Sequence, residues 1–599
     1  MVVPTAPQPS STYQLWKVFS LPGSDGGSTT AFAVESDIAD KIISTYTVLV
    51  KASLISLWSI GTAAVFFSML RQSKSDHLTA SIWNHRASIT NQLADVLTVG
   101  FARIRKSKSY SKWPLPLGVA SSVLVALAAQ AALSILIAPL LVLDHAAPVN
   151  PSSIFMPAIS QLRSQAAKRV ELKAQTALRA AGAALVAEDG ISNRVGIHPH
   201  AASDRGDGEK DLQFDYDYHV TGAEMGLQKV PGLKMFIEGS CRTEYDWYIN
   251  STVGSSGYVY DTYAPFGNES NLVNVSRSDG WIPMARFTTG PETQSSAQGN
   301  WTWSAIVSSV GRQSFEAGDD PWYRTEEDPD ATSNDPQYII RGGRPALSCW
   351  QSSLWGYGGQ NQTLTRISRL PGINETLSDD INRVLLRFFD EPLIVTISLG
   401  LGAAALSTSE GAWGSSFNAA ESSIENDLTR LLMSAYIASA NVFTDLTLVR
   451  DRFKNELDNE LNITADGVAL EGAEEFVVWS SNAVSTLSLA GIIAIPLVTL
   501  LLWGILWLLL RKTVLRSVDQ VYDAGLIFKT LARDADMLIA NKKWQKRLSL
   551  DGMSGGASDK GDGGSTRVNS GVPAETNPLM KNEVRVSSQS LYSRLNPPG

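Results

Sequence analysis

The sequence predicts a membrane protein with three α-helical spans and an α+β ectodomain. That ectodomain reads as β-rich, in the manner of a sandwich, carried on a helical membrane-proximal base. Three observations lead there. Three apolar runs reach the ~20 residues a bilayer core requires. Seven Asn-x-Ser/Thr sequons, at Asn250, Asn268, Asn274, Asn300, Asn361, Asn374 and Asn462, all fall between the second and third runs. Between those runs the apolar period changes from helical to alternating and back.

Residues 1–45 are polar, with Pro4, Pro7 and Pro9 and the acids Asp25, Glu35, Asp37 and Asp40. They read as an extracytoplasmic tail. No apolar signal-peptide core precedes the first run, so that run has to act as its own insertion signal. Residues 46–70 form the first span, with the apolar stretch at 52–70. Residues 71–114 form a cytoplasmic loop carrying eight bases (Arg71, Lys74, Arg86, Arg103, Arg105, Lys106, Lys108, Lys112) against Asp76 and Asp95. Residues 115–143 form the second span, in which Gln130 sits among small residues and suits packing between spans. Residues 484–510 form the third, with Trp503 and Trp507 as interfacial anchors. Arg511, Lys512 and Arg516 follow it directly. The Lys/Arg bias therefore puts the N-terminus outside and the C-terminus in the cytoplasm, in agreement with the sequons.

Within the ectodomain, residues 144–190 read as a helical stalk. Ile159, Leu162, Ala166, Val170, Ala174, Ala177, Ala181 and Leu185 recur at steps of three or four. Residues 191–372 change character: LQFDYDYHV alternates as a half-buried strand does, and LKMFIEG, SGYVYDTY, RFTTG, WTWSAIVSSV and QYIIRG are further short strands. Residues 373–483 return to helix, with a stripe from Ile424 through Leu428, Leu431, Ala435, Ala438, Val442 and Leu446 to Val449. This stripe is expected beside the stalk helix. Residues 393–407, LIVTISLGLGAAALS, are short for a span and read first as a buried segment. A membrane-inserting segment or a true span are the alternatives.

The two cysteines, Cys241 and Cys349, both lie in the sequon interval. An oxidising lumen makes a disulfide the default, worth ~2–4 kcal/mol. Two buried thiols or a bridge between chains are the other options. Net charge is −9, but residues 144–485 carry 44 acids and 25 bases while both flanks are basic. An acidic middle argues against a nucleic-acid partner.

The candidate chemical motifs are weak. G-x-S-x-G at Gly552–Gly556 has neither the strand-turn-helix setting of a nucleophile elbow nor a later histidine. His198 and His200, with Asp204, Asp207 and Asp211, match no defined metal spacing and read as a polar loop. Glu316–Pro336 is rich in carboxylates but lacks the order of a calcium loop, and reads as a solvated acidic loop. Asp215, Asp217, Glu238, Glu244 and Asp246 lie on or near strands. A glycosidase pair there depends on spacing that sequence does not give, and the aromatics nearby read as core. No cofactor or metal is implied.

Residues 511–548 form a basic juxtamembrane helix suited to an anionic leaflet. Residues 549–599 read as a disordered cytoplasmic tail, with Ser549 after Lys546-Arg547-Leu548 as a phosphorylation candidate. The run SILIAPLLVLDHAAPVNPSSIFMPA, residues 134–158, resembles a stretch in uncharacterised fungal multi-pass cell-surface proteins of similar layout. The resemblance implies location and architecture and no site residues. These features point to a plasma-membrane or endomembrane glycoprotein whose partners are the bilayer and an extracellular ligand or protein. Its function on this reading is binding, adhesion, sensing or scaffolding, without catalysis. An ecto-enzyme acting on glycans or esters, and a fusion or channel component, are the rival readings.

Overall fold

The computed structural model describes residues 12–23, 25–71, 124–125, 128, 131–132, 135–158, 166–186, 192–206, 208–253, 259–267, 272–276, 283–290, 299–333, 335–409, 416–453, 455–461, 476–479 and 482–509. Residues 72–123 and everything after Leu509 lie outside the described residues. These include most of the basic loop, the G-x-S-x-G and Ser549. Gln130, Asn268 and Asn462 lie outside them too.

Residues expected as a polar tail form a hairpin instead. Strand β1 (Val18–Pro22) pairs antiparallel with β2 (Ser28–Glu35) across a turn in which Asp25 accepts from Gly27 N and Gly26 takes φ +81°. The pattern TTAFAVE buries Ala31, Ala33 and Val34 completely. The hairpin continues into β16 (Val484–Ser488) and β3 (Val142–Asp144), giving a four-stranded junction sheet of order β1-β2-β16-β3. The third apolar run therefore opens with a strand, and its helix starts at Leu489. The second run likewise ends in β3.

Three helical segments leave this sheet. Helix α1 (Ser36–Arg71) follows β2 without a break and starts ten residues before the expected position, with Asp37 at the positive end of its dipole. Helix α7 (Leu489–Leu509) follows β16. The helical residues 135–141 lead into β3. Helices α1 and α7 run parallel and touch: Tyr46 Oη donates to Ile492 O at 2.7 Å, and the Ser53 and Thr499 hydroxyls lie 2.7 Å apart. Both contacts advance by seven residues on both helices, the repeat of a left-handed pair. Leu141, fully buried, lies against Gly491, where an added Cβ would approach it to 2.9 Å.

The body is α+β. Its main sheet has seven antiparallel strands: β5 (Val195–Pro199), β6 (Gln213–Thr221), β7 (Lys234–Glu244), β11 (Ala285–Thr289), β12 (Asn300–Val307), β13 (Ala346–Tyr357) and β14 (Gln360–Gln362). Their order is β11-β12-β13-β7-β6-β5, with β14 also on β13. Period-two alternation sends Phe214, Tyr216, Tyr218 and Val220 to one face, all buried, and Gln213, Asp215, Asp217 and His219 to the other.

The buried face rests on helices and not on a second sheet, which corrects the sandwich expectation. Helices α2 (Ala166–Val186), α4 (Leu393–Leu401) and α5 (Ile424–Ala440) pack together, and α4 and α5 meet the sheet. Tyr218 meets Tyr436 edge to face. The sheet-on-sheet packing is local. A three-stranded sheet of β8 (Tyr248–Val253), β9 (Val259–Tyr263) and β10 (Val273–Ser276) covers Ile306 and Ala346 with Tyr263 and Val275.

Local signals explain the helix ends. Ser378 caps α3 (Asp379–Phe388) by accepting from Ile381 N, and Ser423 caps α5 by accepting from Asn426 N. Helix α5 is apolar nearly all round because it is enclosed by β6, α2 and α4. At Asn441 the chain bends by 74° into α6 (Val442–Phe453). Helix α4 has Leu393, Ile394, Val395, Ile397 and Leu401 buried in the same core. Strands β4 (Ala146–Pro148) and β15 (Val477–Trp479) pair, with β15 against α6, so the intervals expected as helical stalk and helical base both contain strand.

Candidate functional site

The outer face of the main sheet is a polar surface laid out in rows by strand register. His198 faces Asp215, Asp215 faces Ser240, Ser240 faces Trp350 and Trp350 faces Thr302. One step along, Asp217 faces Glu238, which faces Ser352, which faces Asn300. His198 Nε2 lies 3.1 Å from Asp217 Oδ1, and His200 Nε2 lies 2.8 Å from Asp215 Oδ2. Hydrogen bonds from Ser240, and then from His200, hold the Asp215 carboxyl below the usual range.

These histidines pair with the neighbouring strand and not with Asp204 or Asp211; Asp207 lies outside the described residues. Among the described residues, no three His, Cys, Asp or Glu side chains gather where a metal would sit. Asp215, Asp217 and Glu238 share this open face, while Glu244 pairs with Arg242 and Asp246 with Arg205. The five carboxylates do not converge on a cleft.

The sequon asparagines within the described residues, Asn250, Asn274, Asn300, Asn361 and Asn374, are all exposed. Asn250 and Asn274 flank Thr262 in one cross-strand row, and Thr262 donates to Asn274 Oδ1 at 2.9 Å. Asn300 and Thr302, two members of one sequon, both point to the outer face. Cys241 and Cys349 are opposed across β7 and β13 on the buried face, and a disulfide joins them with Cα atoms 4.1 Å apart.

Sequence reasoning missed the polar interior. The acidic stretch 316–336 is not a free loop. Its Trp322 and Tyr323 are buried in the core, and Asp320 holds the start of α5, accepting from Ile424 N at 3.0 Å and from Trp322 N at 2.9 Å. Asp427, wholly buried, accepts from Tyr323 Oη and from Thr408 N. Burial, with the two carboxylates facing each other, pushes Asp320 up to about 7. Burial also pushes Asp427 up to about 6. The aromatic pair inside DDPWY was the available signal, since two adjacent rings seldom sit in a solvated loop.

Arg344 and Asp261 form a second buried pair at 2.6 Å, with Arg344 also donating to Val307 O. A groove of about 250 Å³ separates α2 from α5 and α6, lined by Leu178, Gly182, Ala183, Ile437 and Ala438. At its rim Arg179 pairs with Asp445 at 2.5 Å, and burial pushes Asp445 up to about 6. Each of these carboxylates has a protein partner, so their arrangement is structural.

Fold and surface together define an α+β body joined, through a junction sheet, to two helices long and apolar enough to cross a membrane. Residues 174–478 match the family model described as Domain of unknown function (DUF8406). That span exceeds half of the 599 residues, and the chain belongs to this family. The match begins in α2 and ends in β15. It covers the body and leaves out the hairpin, α1 and α7. No curated protein and no solved structure matches.

Proposed function

We propose that the chain is a three-span surface or endomembrane glycoprotein, N-terminus outside, C-terminus cytoplasmic. Its ectodomain binds, senses, adheres or scaffolds and does not catalyse. The observation that carries this is the parallel pairing of α1 and α7 below one sheet. Tyr46 meets Ile492 and Ser53 meets Thr499, so both helices leave the body in the same direction. Two parallel crossings need a return crossing between them, and residues 135–141 enter the same sheet at β3.

The basic residues after each helix, Arg71 and then Arg511, Lys512 and Arg516, suit a cytoplasmic exit. Exposed sequons on the body suit a lumenal one. A body tied to its helices by a hydrogen-bonded sheet, and not by a loose linker, transmits the orientation of whatever it holds. A flat polar face, with its carboxylates spread along strands, suits recognition of a surface.

The test is a glycosidase mobility shift combined with protease protection of a C-terminal tag in sealed cells. The expected result is a shift on deglycosylation and a tag cut only after permeabilisation. An unshifted protein whose tag is cut from outside overturns the topology.

A further inference from the structure

Trp350 is out of place on its surface. It is 49% exposed, and its neighbours across and along the strands, Ser240, Thr302, Ser348 and Ser352, are all hydroxyl residues. The guanidinium that a nearby strand offers, Arg242, is turned to Glu244 at 3.2 Å. A sequon asparagine, Asn300, lies on the adjacent strand. Register pairs Asn300 with Ser352 and Thr302 with Trp350. Asn300 and Trp350 are therefore diagonal neighbours on one face, ~7–8 Å apart at the backbone and closer at Cβ. The Asn300 side chain is exposed.

We propose that the N-linked glycan on Asn300 folds back across the strand pair, its first N-acetylglucosamine stacking on the Trp350 indole. This rests on the extracytoplasmic, glycosylated reading above. An asparagine side chain and one pyranose ring together span the diagonal gap. The C–H face of the sugar is apolar and slightly positive, and it meets the negative face of the indole. The hydroxyls at Ser352, Thr302 and Ser240 border the ring, and Glu238 and Asp215 accept from sugar hydroxyls further along the rows. Covalent attachment keeps the sugar at high effective concentration, so even a weak stack is populated. The glycan thereby covers Trp350, which is more exposed than Leu354 on the same face, and leaves the His–Asp end of the sheet open.

The test uses the full chain made in a glycosylating host and kept in detergent. Glycopeptide mass spectrometry reads occupancy at Asn300, and hydroxyl-radical footprinting reads oxidation of Trp350. The expected result is that Asn300→Gln raises Trp350 oxidation severalfold, while Asn361→Gln leaves it unchanged. Enzymatic release of the Asn300 glycan from native protein should quicken severalfold in Trp350→Ser and stay slow in Trp350→Tyr.

An occupied Asn300 with equal Trp350 oxidation in wild type and Asn300→Gln overturns the stacking and leaves the glycoprotein reading intact. So does protection of Trp350 that persists in Asn300→Gln, which assigns the face to an outside partner. A bare Asn300 beside other occupied sequons also overturns it. Bare asparagines at every sequon overturn the glycoprotein reading itself.

Discussion

The main sheet and the junction sheet are built on opposite principles. The main sheet buries large aromatics against helices, carries the disulfide, and lies within the family match. The junction sheet lies outside the match; one face joins the main core through Phe19, Leu21, Ala31, Ala33 and Val484, and the other forms a small cluster of Val34, Ala39 and Leu487. Its strands come from residues 18–35, 142–144 and 484–488, so two of its three strand pairings span hundreds of residues. The body sheet is held by what it buries. The junction is held on one face by the body core and on the other by the helices that emerge from it. The lesson is that stability and attachment are separate tasks here, and changes in one region should be read in different assays from changes in the other.

The largest expected effect is in the body. Trp303 is fully buried and stacks on Phe287 with centroids 6.0 Å apart. Trp303→Ala should cost about 3–5 kcal/mol through lost burial and the cavity left behind. Thermal melts of the purified protein should show it, with the body lost and α1 and α7 still inserted. Insertion lost together with the body would break the comparison.

Next comes the disulfide. Replacing Cys241 and Cys349 by Ser should cost ~2–5 kcal/mol. The strands stay paired through β7 and β13, so the effect acts mainly on the unfolded chain. Adding reductant to wild type should reproduce the loss, and a reduced protein melting as the oxidised one does would refute it.

Acidity should separate the regions further. Asp320, Asp427 and Asp445 all lie in the body, and burial raises each above the ~3.9 of a free aspartate. The charged form is disfavoured in the fold. Their contribution is therefore fully present below about pH 4 and is lost as pH rises through about 6 to 7. The body should melt at a higher temperature at pH 5 than at pH 8. Each tenfold change in proton affinity is worth about 1.4 kcal/mol, reduced by local relaxation. Asp320→Asn should flatten the slope, because the amide oxygen still accepts from Ile424 N. A slope of opposite sign would remove these carboxylates as its source.

How much of this was legible followed from how local each signal is. LQFDYDYHV gave β6 directly, because alternation is a property of neighbouring residues. The stripes at 159–185 and 424–449 pointed to helices α2 and α5, which do pack together, though the second stripe bends by 74° after α5. The junction sheet was hidden because Ala31 pairs with Ser488, and no local pattern encodes a partner so distant. Strand β16 was hidden because VSTLS merges with the apolar helix behind it, and short apolar runs do not distinguish strand from helix. The sandwich was read from short alternating strands, with the nearby aromatics taken as core. Trp303, Trp355 and Tyr216 are indeed core, but composition does not say whether a helix or a sheet lies opposite. Of the candidate site, the exposed asparagines and the disulfide were legible. Asp320 and Asp427 were not, because burial of a carboxylate depends on tertiary packing.

The smallest expected effect lies in the junction. Thr499 is 1% exposed, and its hydroxyl meets Ser53 between α1 and α7. Thr499→Val keeps the shape and removes the hydrogen bond, which inside a membrane averages ~0.6 kcal/mol. Body melts should not register it. Cysteines at Tyr46 and Ile492 bridged by a short bifunctional reagent should, since the length of the tyrosine side chain spans the gap between the two backbones. The pair should cross-link readily in otherwise wild-type protein and more slowly with Thr499→Val. Equal rates would mean that packing alone holds the helices. Failure to cross-link in any background would remove the parallel pairing, and with it the claim that one face of the junction sheet is held by the helices below it.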